Sequence, residues 1–146
     1  MKHPPVVKEV IIHAPAAKVW QAITDKDAMR QWYFDIAAFK PEVGFESQFE
    51  GGDDKNCYLH LCKITEVVEH KKLAYSWRYD GFPGDSLVTF ELFAEGDNTR
   101  VRLTHEGLES FAPGGPAFAK ENFVAGWDQL IGTLLKEYVE NQPVNK

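Results

Sequence analysis

His105 is the titratable residue best placed for chemistry inside the fold. It follows Val101 and Leu103 with the two-residue alternation of a β-strand, so we expect all three side chains on one inward face. A buried neutral imidazole both donates and accepts hydrogen bonds, and one with a pKa near neutrality acts as a general base. The pattern therefore leaves three roles open: a structural histidine bonded to a backbone or hydroxyl group, a residue that orients a ligand, or an acid–base catalyst.

Aromatic residues are frequent, with 10 Phe, 5 Tyr and 4 Trp in 146 residues. Each large ring buries about 150–250 Å², so this number indicates either a strongly aromatic core or an aromatic-lined cavity. Trp77 and Tyr79 alternate with polar residues in a predicted strand, and Trp127 lies in the middle of an apolar stripe at helical spacing. These three are the candidates for a cavity wall, and ordinary core packing is the alternative for each.

Motifs for other kinds of site are absent or incomplete. No HxH, HExxH or paired CxxC motif occurs, and Cys57 and Cys62 have no histidine pair at zinc-ligand spacing. No glycine-rich phosphate-binding loop is found. The two cysteines fall in one predicted strand, about 17 Å apart, which is too far for a disulfide. We therefore predict free thiols, a reducing compartment, no metal and no cofactor.

Charge and hydropathy exclude further classes. The formal net charge is −6, from 16 Lys and Arg against 22 Asp and Glu, without a basic cluster for nucleic acid. No run of about 18 apolar residues is present, so membrane insertion is not expected. The N-terminal residues MKHPPVVKEV contain no apolar signal core, and the cytoplasm is the expected location.

The order of predicted elements positions the candidate residues. A β-branched strand over residues 5–12 precedes two short helices, the second capped by Asp25 or Asp27. Five strands with a period of two follow, and then a loop rich in proline and glycine. A helix over about residues 118–140 ends the chain. Its apolar stripe consists of Phe123, Trp127, Leu130, Ile131, Leu134, Leu135 and Tyr138.

The strand predicted over residues 57–69 is irregular. Its apolar parity slips between Leu61 and Ile64, which predicts a β-bulge near Cys62. His60 has the opposite parity to Leu61, so we expect its side chain to be exposed.

The long helix must bury its apolar stripe, and the antiparallel strands offer the only large apolar face. The predicted fold is therefore α+β: a curved six-stranded antiparallel sheet wrapped around a long C-terminal helix, with two short helices after the first strand. Residues 1–146 are expected to form a single domain, in keeping with the usual domain size.

Several short strings follow one another along nearly the whole chain: IIHAPAAKVWQAITD (11–25), RQWY (30–33), PEVGFESQFEG (41–51), ITEVVEHKKLAYSW (64–77), SLVTFEL (86–92), TRVRLTHEGL (99–108) and GWDQLIGTLLKEYVE (126–140). With these strings in this order, the sequence resembles the START-like (SRPBCC, helix-grip) superfamily, and within it the homologues of the activator of the heat-shock chaperone ATPase.

The resemblance implies a mostly apolar cavity between the sheet and the C-terminal helix. We expect this cavity to bind a small apolar or aromatic molecule. We expect the protein itself to be a monomer or a homodimer. The alternatives are an enzyme of the cyclase, dehydratase or hydrolase type that uses His105 for acid–base catalysis, and a stress-linked protein that interacts with a chaperone. The predicted lining consists of Trp32, Phe49, Tyr75, Trp77, Tyr79, Leu103, His105, Trp127 and Ile131.

Overall fold

Helices and strands follow one another in the predicted order. The computed structural model describes residues 5–32, 39–52, 57–82, 84–108, 110–111 and 120–140, so most of the proline- and glycine-rich loop lies outside the described residues. The elements before the C-terminal helix are β1 (Val6–Ile12), α1 (Ala16–Thr24), α2 (Lys26–Trp32), β2 (Glu46–Gly52), β3 (Cys57–Val68), β4 (Lys72–Tyr79), β5 (Ser86–Glu95) and β6 (Asn98–Glu106).

The six strands form one antiparallel sheet in the order β1-β6-β5-β4-β3-β2. Strands β2 to β6 are consecutive neighbours, whereas β1 pairs with β6, and Val6 lies opposite His105. The predicted α+β fold is confirmed. One consequence is that His105 lies on an interior strand, between β1 and β5.

The two short helices pack through their apolar faces. In α1 the buried face includes Val19, Trp20 and Ile23. The Asp25 carboxylate accepts a hydrogen bond from the backbone N–H of Ala28 at 3.2 Å, so Asp25 is the residue that caps α2.

The C-terminal helix buries a side chain at every fourth residue. Phe123, Trp127, Ile131, Leu135 and Val139 are all at most 9% exposed. In a regular α-helix each four-residue step overshoots one turn by about 40°, so four steps rotate the stripe by about 160° away from the sheet.

A π-helical segment corrects this rotation. The C-terminal helix consists of α3 (Lys120–Gln129), the π-helix Leu130–Leu135 and α4 (Lys136–Glu140). The i→i+5 bonding of a π-helix places more residues in each turn and so rotates the chain less per residue. The buried stripe stays on the sheet because of this segment, which the prediction of one regular helix missed.

No helix in the described part of the chain is long and apolar enough to cross a bilayer.

Strands β2 and β3 differ from the prediction in detail. The register of β3 against β4 shifts between Ile64 and Glu66, so the bulge lies at Thr65, three residues beyond Cys62. Regular pairing of β2 begins at Glu46 because Gly44, at φ +91°, turns the backbone just before it.

Gly84 tests how closely the β4–β5 loop packs on the interior. Its φ is +108°, and an added Cβ would meet the Phe111 ring and lie 2.6 Å from the Ser110 carbonyl oxygen. We expect Gly84→Ala to lower the free energy of unfolding by about 2–5 kcal/mol, from the left-handed backbone and the steric clash together.

The matched control is Gly81→Ala, measured by the same urea denaturation. Gly81 has φ +81° and nothing within 4 Å of an added Cβ, so only the backbone cost of about 1–2 kcal/mol applies. Equal losses in the two variants would contradict the close packing of Phe111 on this loop.

Candidate functional site

Rings from the sheet and the C-terminal helix meet around Trp77. Its ring centroid lies 4.9 Å from His60, 5.4 Å from His105, 5.7 Å from Trp127 and 5.8 Å from Phe49. The alternation of β4 directs Trp77 inward, and the four-residue spacing of the helix directs Trp127 toward it. These residues are at most 5% exposed, so the contacts lie in the interior.

Further aromatic contacts extend this group of rings to Phe111 and Phe123. The Phe111 ring lies 5.2 Å from Tyr79 and is stacked on Phe123 at 6.0 Å, and Phe123 lies 5.3 Å from His105. We call the whole group the ring cluster; it comprises Phe49, His60, Trp77, Tyr79, His105, Phe111, Phe123 and Trp127.

A chain of hydrogen bonds runs through the ring cluster from helix to sheet. The Trp127 indole N–H donates to His105 Nδ1 at 3.0 Å, and His105 Nε2 lies 2.8 Å from Ser86 Oγ. Ser86 donates its one hydroxyl proton to the Trp77 carbonyl at 2.7 Å, so it accepts from His105. The bonding thus assigns His105 the neutral tautomer protonated on Nε2.

His105 is held uncharged by its surroundings. Its side chain is 0% exposed, and burial lowers its pKa to about 3. Both ring nitrogens are already engaged, one by Trp127 and the other by Ser86. This arrangement orients the rings around it and leaves no lone pair free to take a proton.

His60 is buried, so the prediction that it is exposed is wrong. Its side chain is 5% exposed, stacks on Phe49 with centroids 4.5 Å apart, and bonds through Nδ1 to the Tyr58 carbonyl at 2.9 Å. The alternation of Leu59 and Leu61 predicts that these two side chains point inward and that His60 points outward. Pairing of Phe49 with His60 across β2 and β3 directs His60 inward instead, and burial lowers its pKa to about 4.

The other titratable groups facing the interior are also neutral at pH 7. Tyr79 Oη accepts the Trp77 indole N–H at 2.9 Å, and burial raises the pKa of Tyr79. Burial raises the pKa of the free thiol of Cys62 to about 12. Every buried side-chain nitrogen and oxygen in the described residues has a hydrogen-bond partner. The described interior is therefore apolar and uncharged, with its polar atoms satisfied internally.

The described side chains, which do not include that of Cys57, contain no metal-binding cluster and no thiolate nucleophile. No three His, Cys, Asp or Glu side chains among them converge in a way that would hold a metal. Cys62, with its raised pKa, stays a protonated thiol at neutral pH, and the protonated form is a poor nucleophile.

The nine side chains predicted to line a cavity are all at most 5% exposed. Five of them belong to the ring cluster: Phe49, Trp77, Tyr79, His105 and Trp127. Tyr75 joins it through Phe90, whose ring lies 6.3 Å from Tyr75 and 6.1 Å from Trp127.

Of the remaining three predicted residues, Leu103 and Ile131 are neighbours of the ring cluster, and Trp32 lies at the end of α2. Leu103 lies opposite Phe90 in the β5–β6 pairing, and Ile131 lies one turn after Trp127 on the helix. Trp32 is positioned by α1, because its indole N–H donates to the Ala22 carbonyl at 2.8 Å.

Sequence reasoning missed four members of this site. One of them, Phe123, was recognised as part of the apolar helical stripe but not as part of the lining. Ser86 could have been found from the sequence, because it precedes Val88 and Phe90 at inward parity. A polar side chain that points inward needs a hydrogen-bond partner in the interior. His60 was assigned to the wrong face, and Phe111 lies in a short segment without periodicity.

Comparison with known proteins identifies the family. Residues 13–140 match the family model described as Activator of Hsp90 ATPase homolog 1-like protein. The chain belongs to this family. A search of the curated proteins finds no significant match.

Solved structures share the fold of this family member. Protein CV1439 from Chromobacterium violaceum is 21% identical with a TM-score of 0.80, covering 95% of this chain and 99% of its own. BH1534 from Bacillus halodurans is 26% identical with a TM-score of 0.74 and the same coverage. DynU16, a protein of the dynemicin biosynthetic locus, is 23% identical with a TM-score of 0.78 over 95% of this chain, which spans only 48% of the DynU16 chain.

Removing the Ser86 hydroxyl tests the hydrogen-bond chain. Ser86→Ala leaves the His105 Nε2–H and the Trp77 carbonyl without their partner in the interior, so we expect a loss of about 1–3 kcal/mol in the free energy of unfolding. Ser76→Ala is the matched control, because the Ser76 hydroxyl bonds the Lys63 backbone on the solvent side, where water replaces it. Urea denaturation compares the two, and equal losses would contradict an essential buried chain.

The two buried histidines predict the pH dependence of stability. Folding lowers both pKa values below the ordinary value of about 6.5, so the unfolded chain binds protons more readily. Their contribution to the free energy of unfolding is complete above about pH 6.5 and is lost as the pH falls, toward about 4 for His60 and about 3 for His105. The slope is at most about 1.4 kcal/mol per pH unit for each histidine.

Urea denaturation at pH 7, 6 and 5 measures this slope. His60→Gln is expected to remove the contribution of one histidine to the slope of the free energy of unfolding against pH. A free energy of unfolding that stays flat between pH 7 and pH 5 would contradict neutral burial of the two rings.

Proposed function

We propose that this protein binds a small, uncharged apolar or aromatic molecule between its curved sheet and its C-terminal helix. The observation that carries the proposal is the ring cluster, which draws its members from both layers and contains no charged group. Aromatic faces and edges supply dispersion and offset or edge-to-face contacts to an apolar molecule. Binding sites for such ligands are predominantly apolar with a few fixed polar groups.

The polar atoms of the ring cluster favour a neutral ligand. His105, His60 and Tyr79 are held in their uncharged forms by burial. A charged ligand would lose its hydration there without gaining an opposite charge, which is costly. Membership of the family is consistent with a ligand-binding fold and leaves the ligand to be identified.

Acid–base catalysis by His105 is the less favoured alternative. A general base needs a pKa near the working pH and an available lone pair. The pKa of His105 is about 3, and its Nδ1 lone pair is occupied by the Trp127 N–H. Binding requires neither property. The chaperone-partner alternative rests on the family's name, and a pull-down with the purified chaperone tests it.

Substitutions in the C-terminal helix test the proposed location. We expect the wild-type protein to enhance the fluorescence of the neutral dye N-phenyl-1-naphthylamine, with energy transfer from its tryptophans. Ile131→Phe adds bulk one turn from Trp127. This substitution should lower the affinity for the dye by about tenfold or more, because the added ring occupies the space of the ligand. Fluorescence titration measures the affinity.

Leu135→Phe is the matched control, since Leu135 is equally buried one turn further along the helix. It should bind the dye within about twofold of the wild type, with circular dichroism confirming that both variants fold. Equal weakening in the two variants would argue against this location. A purified protein that neither binds the dye nor carries a co-purified small molecule in native mass spectrometry would overturn the proposed function.

A further inference from the structure

A second concave surface lies on the opposite, outer face of the sheet. It is a groove of about 510 Å³, a size within the range of small-molecule sites. The alternation of β4 separates the two faces: Trp77 and Tyr79 point into the ring cluster, while Ser76 and Arg78 line the groove. Its lining consists of Glu46, Ser47, Gln48, Leu61, Cys62, Lys63, Ser76, Arg78 and Asp85. Ser47 and Cys62 pair with each other at the inward parity of Phe49 and His60, so the side chains of the other strand residues define the outer surface of the groove.

The charges in the groove are arranged with cations at the centre. Lys63 and Arg78 lie on the two middle strands, β3 and β4, as diagonal neighbours, because Arg78 pairs with Leu61 and the Lys63 backbone bonds to Ser76. Such neighbours lie about 7–8 Å apart, within joint reach of one ligand group. The carboxylates flank them, since Glu46 pairs with Lys63 from β2 and Asp85 directly precedes β5.

Neither central cation has an ionic partner in the described part of the chain. The three other arginines, Arg30, Arg100 and Arg102, each form an ion pair with a carboxylate. Arg78 and Lys63 lie on neighbouring strands with no carboxylate of the described residues within 4 Å. Two like charges at this spacing repel each other, and an anion between them would replace that repulsion with attraction.

We propose that this groove binds a small organic anion, with a carboxylate or phosphate held between Arg78 and Lys63. The planar guanidinium fork of Arg78 matches either oxyanion with two parallel hydrogen bonds, and the Lys63 ammonium adds a point charge. The uncharged body of the ligand lies along Leu61 and Gln48. The site is separate from the ring cluster because the thickness of the sheet lies between them.

NMR titration with two probes, inorganic phosphate and benzoate, tests the site at pH 7 and constant ionic strength. We expect saturable shifts of the backbone amides of residues 46–48, 61–63 and 76–78. A response to phosphate alone assigns a phosphorylated ligand, a response to benzoate alone assigns a carboxylate, and either outcome supports the oxyanion site.

Charge variants separate this site from general electrostatics. Arg78→Gln and Lys63→Gln should each lower the affinity for the anionic probe by about tenfold or more. Glu46→Gln should raise this affinity about two- to threefold, because a flanking negative charge is removed. Lys71→Gln, at an exposed lysine outside the groove, is the control and should leave the affinity unchanged.

Three results would overturn the proposal. The first is the absence of saturable shifts with both probes. The second is an equal loss of affinity in Lys71→Gln and Lys63→Gln, which would reflect net charge alone. The third is a set of shifts confined to residues 103–105 and 127, which would place the probe in the interior and leave the outer groove without a ligand.

Discussion

The hydrogen bond from the Trp127 indole to the His105 ring joins the C-terminal helix to the sheet at the centre of the molecule. It fixes the tautomer of His105, and the tautomer in turn directs the second ring nitrogen to Ser86. The imidazole stays neutral because burial removes the hydration that its charged form needs, and because a proton on Nδ1 would face the Trp127 N–H. The surrounding aromatic rings therefore pack against an imidazole whose orientation is fixed by hydrogen bonds at both ring nitrogens.

This constraint shapes what each face of the sheet can bind. The inner face has its polar atoms paired within the protein and its titratable groups held neutral, so it suits an apolar molecule. The outer face carries Lys63 and Arg78 at exposed positions without an ionic partner among the described residues, and it suits an anion. Two-residue alternation along β4 alone separates these two environments, because neighbouring side chains point to opposite sides of the sheet.

Much of the fold was predictable from local patterns. The period of two placed Trp77, Tyr79 and His105 on the inner face, and the helical stripe placed Trp127 opposite them, as the structure confirms. The π-helix was not predicted, although the four-residue spacing from Phe123 to Val139 implies it once the face toward the sheet is known. A pattern in sequence reveals such a segment only together with the surface that the helix must follow.

Outside the irregular strand β3, the sequence by itself determined which of the predicted site residues turn inward, because alternation and helical spacing are properties of the backbone. Only the tertiary structure decided which of them meet, and how their protons are arranged. His60 turned inward because its neighbour across the strands is Phe49, and Ser86 entered the site because its hydroxyl reaches both His105 and the Trp77 carbonyl. Contacts of this kind join residues from different strands and the helix, and no local pattern encodes them.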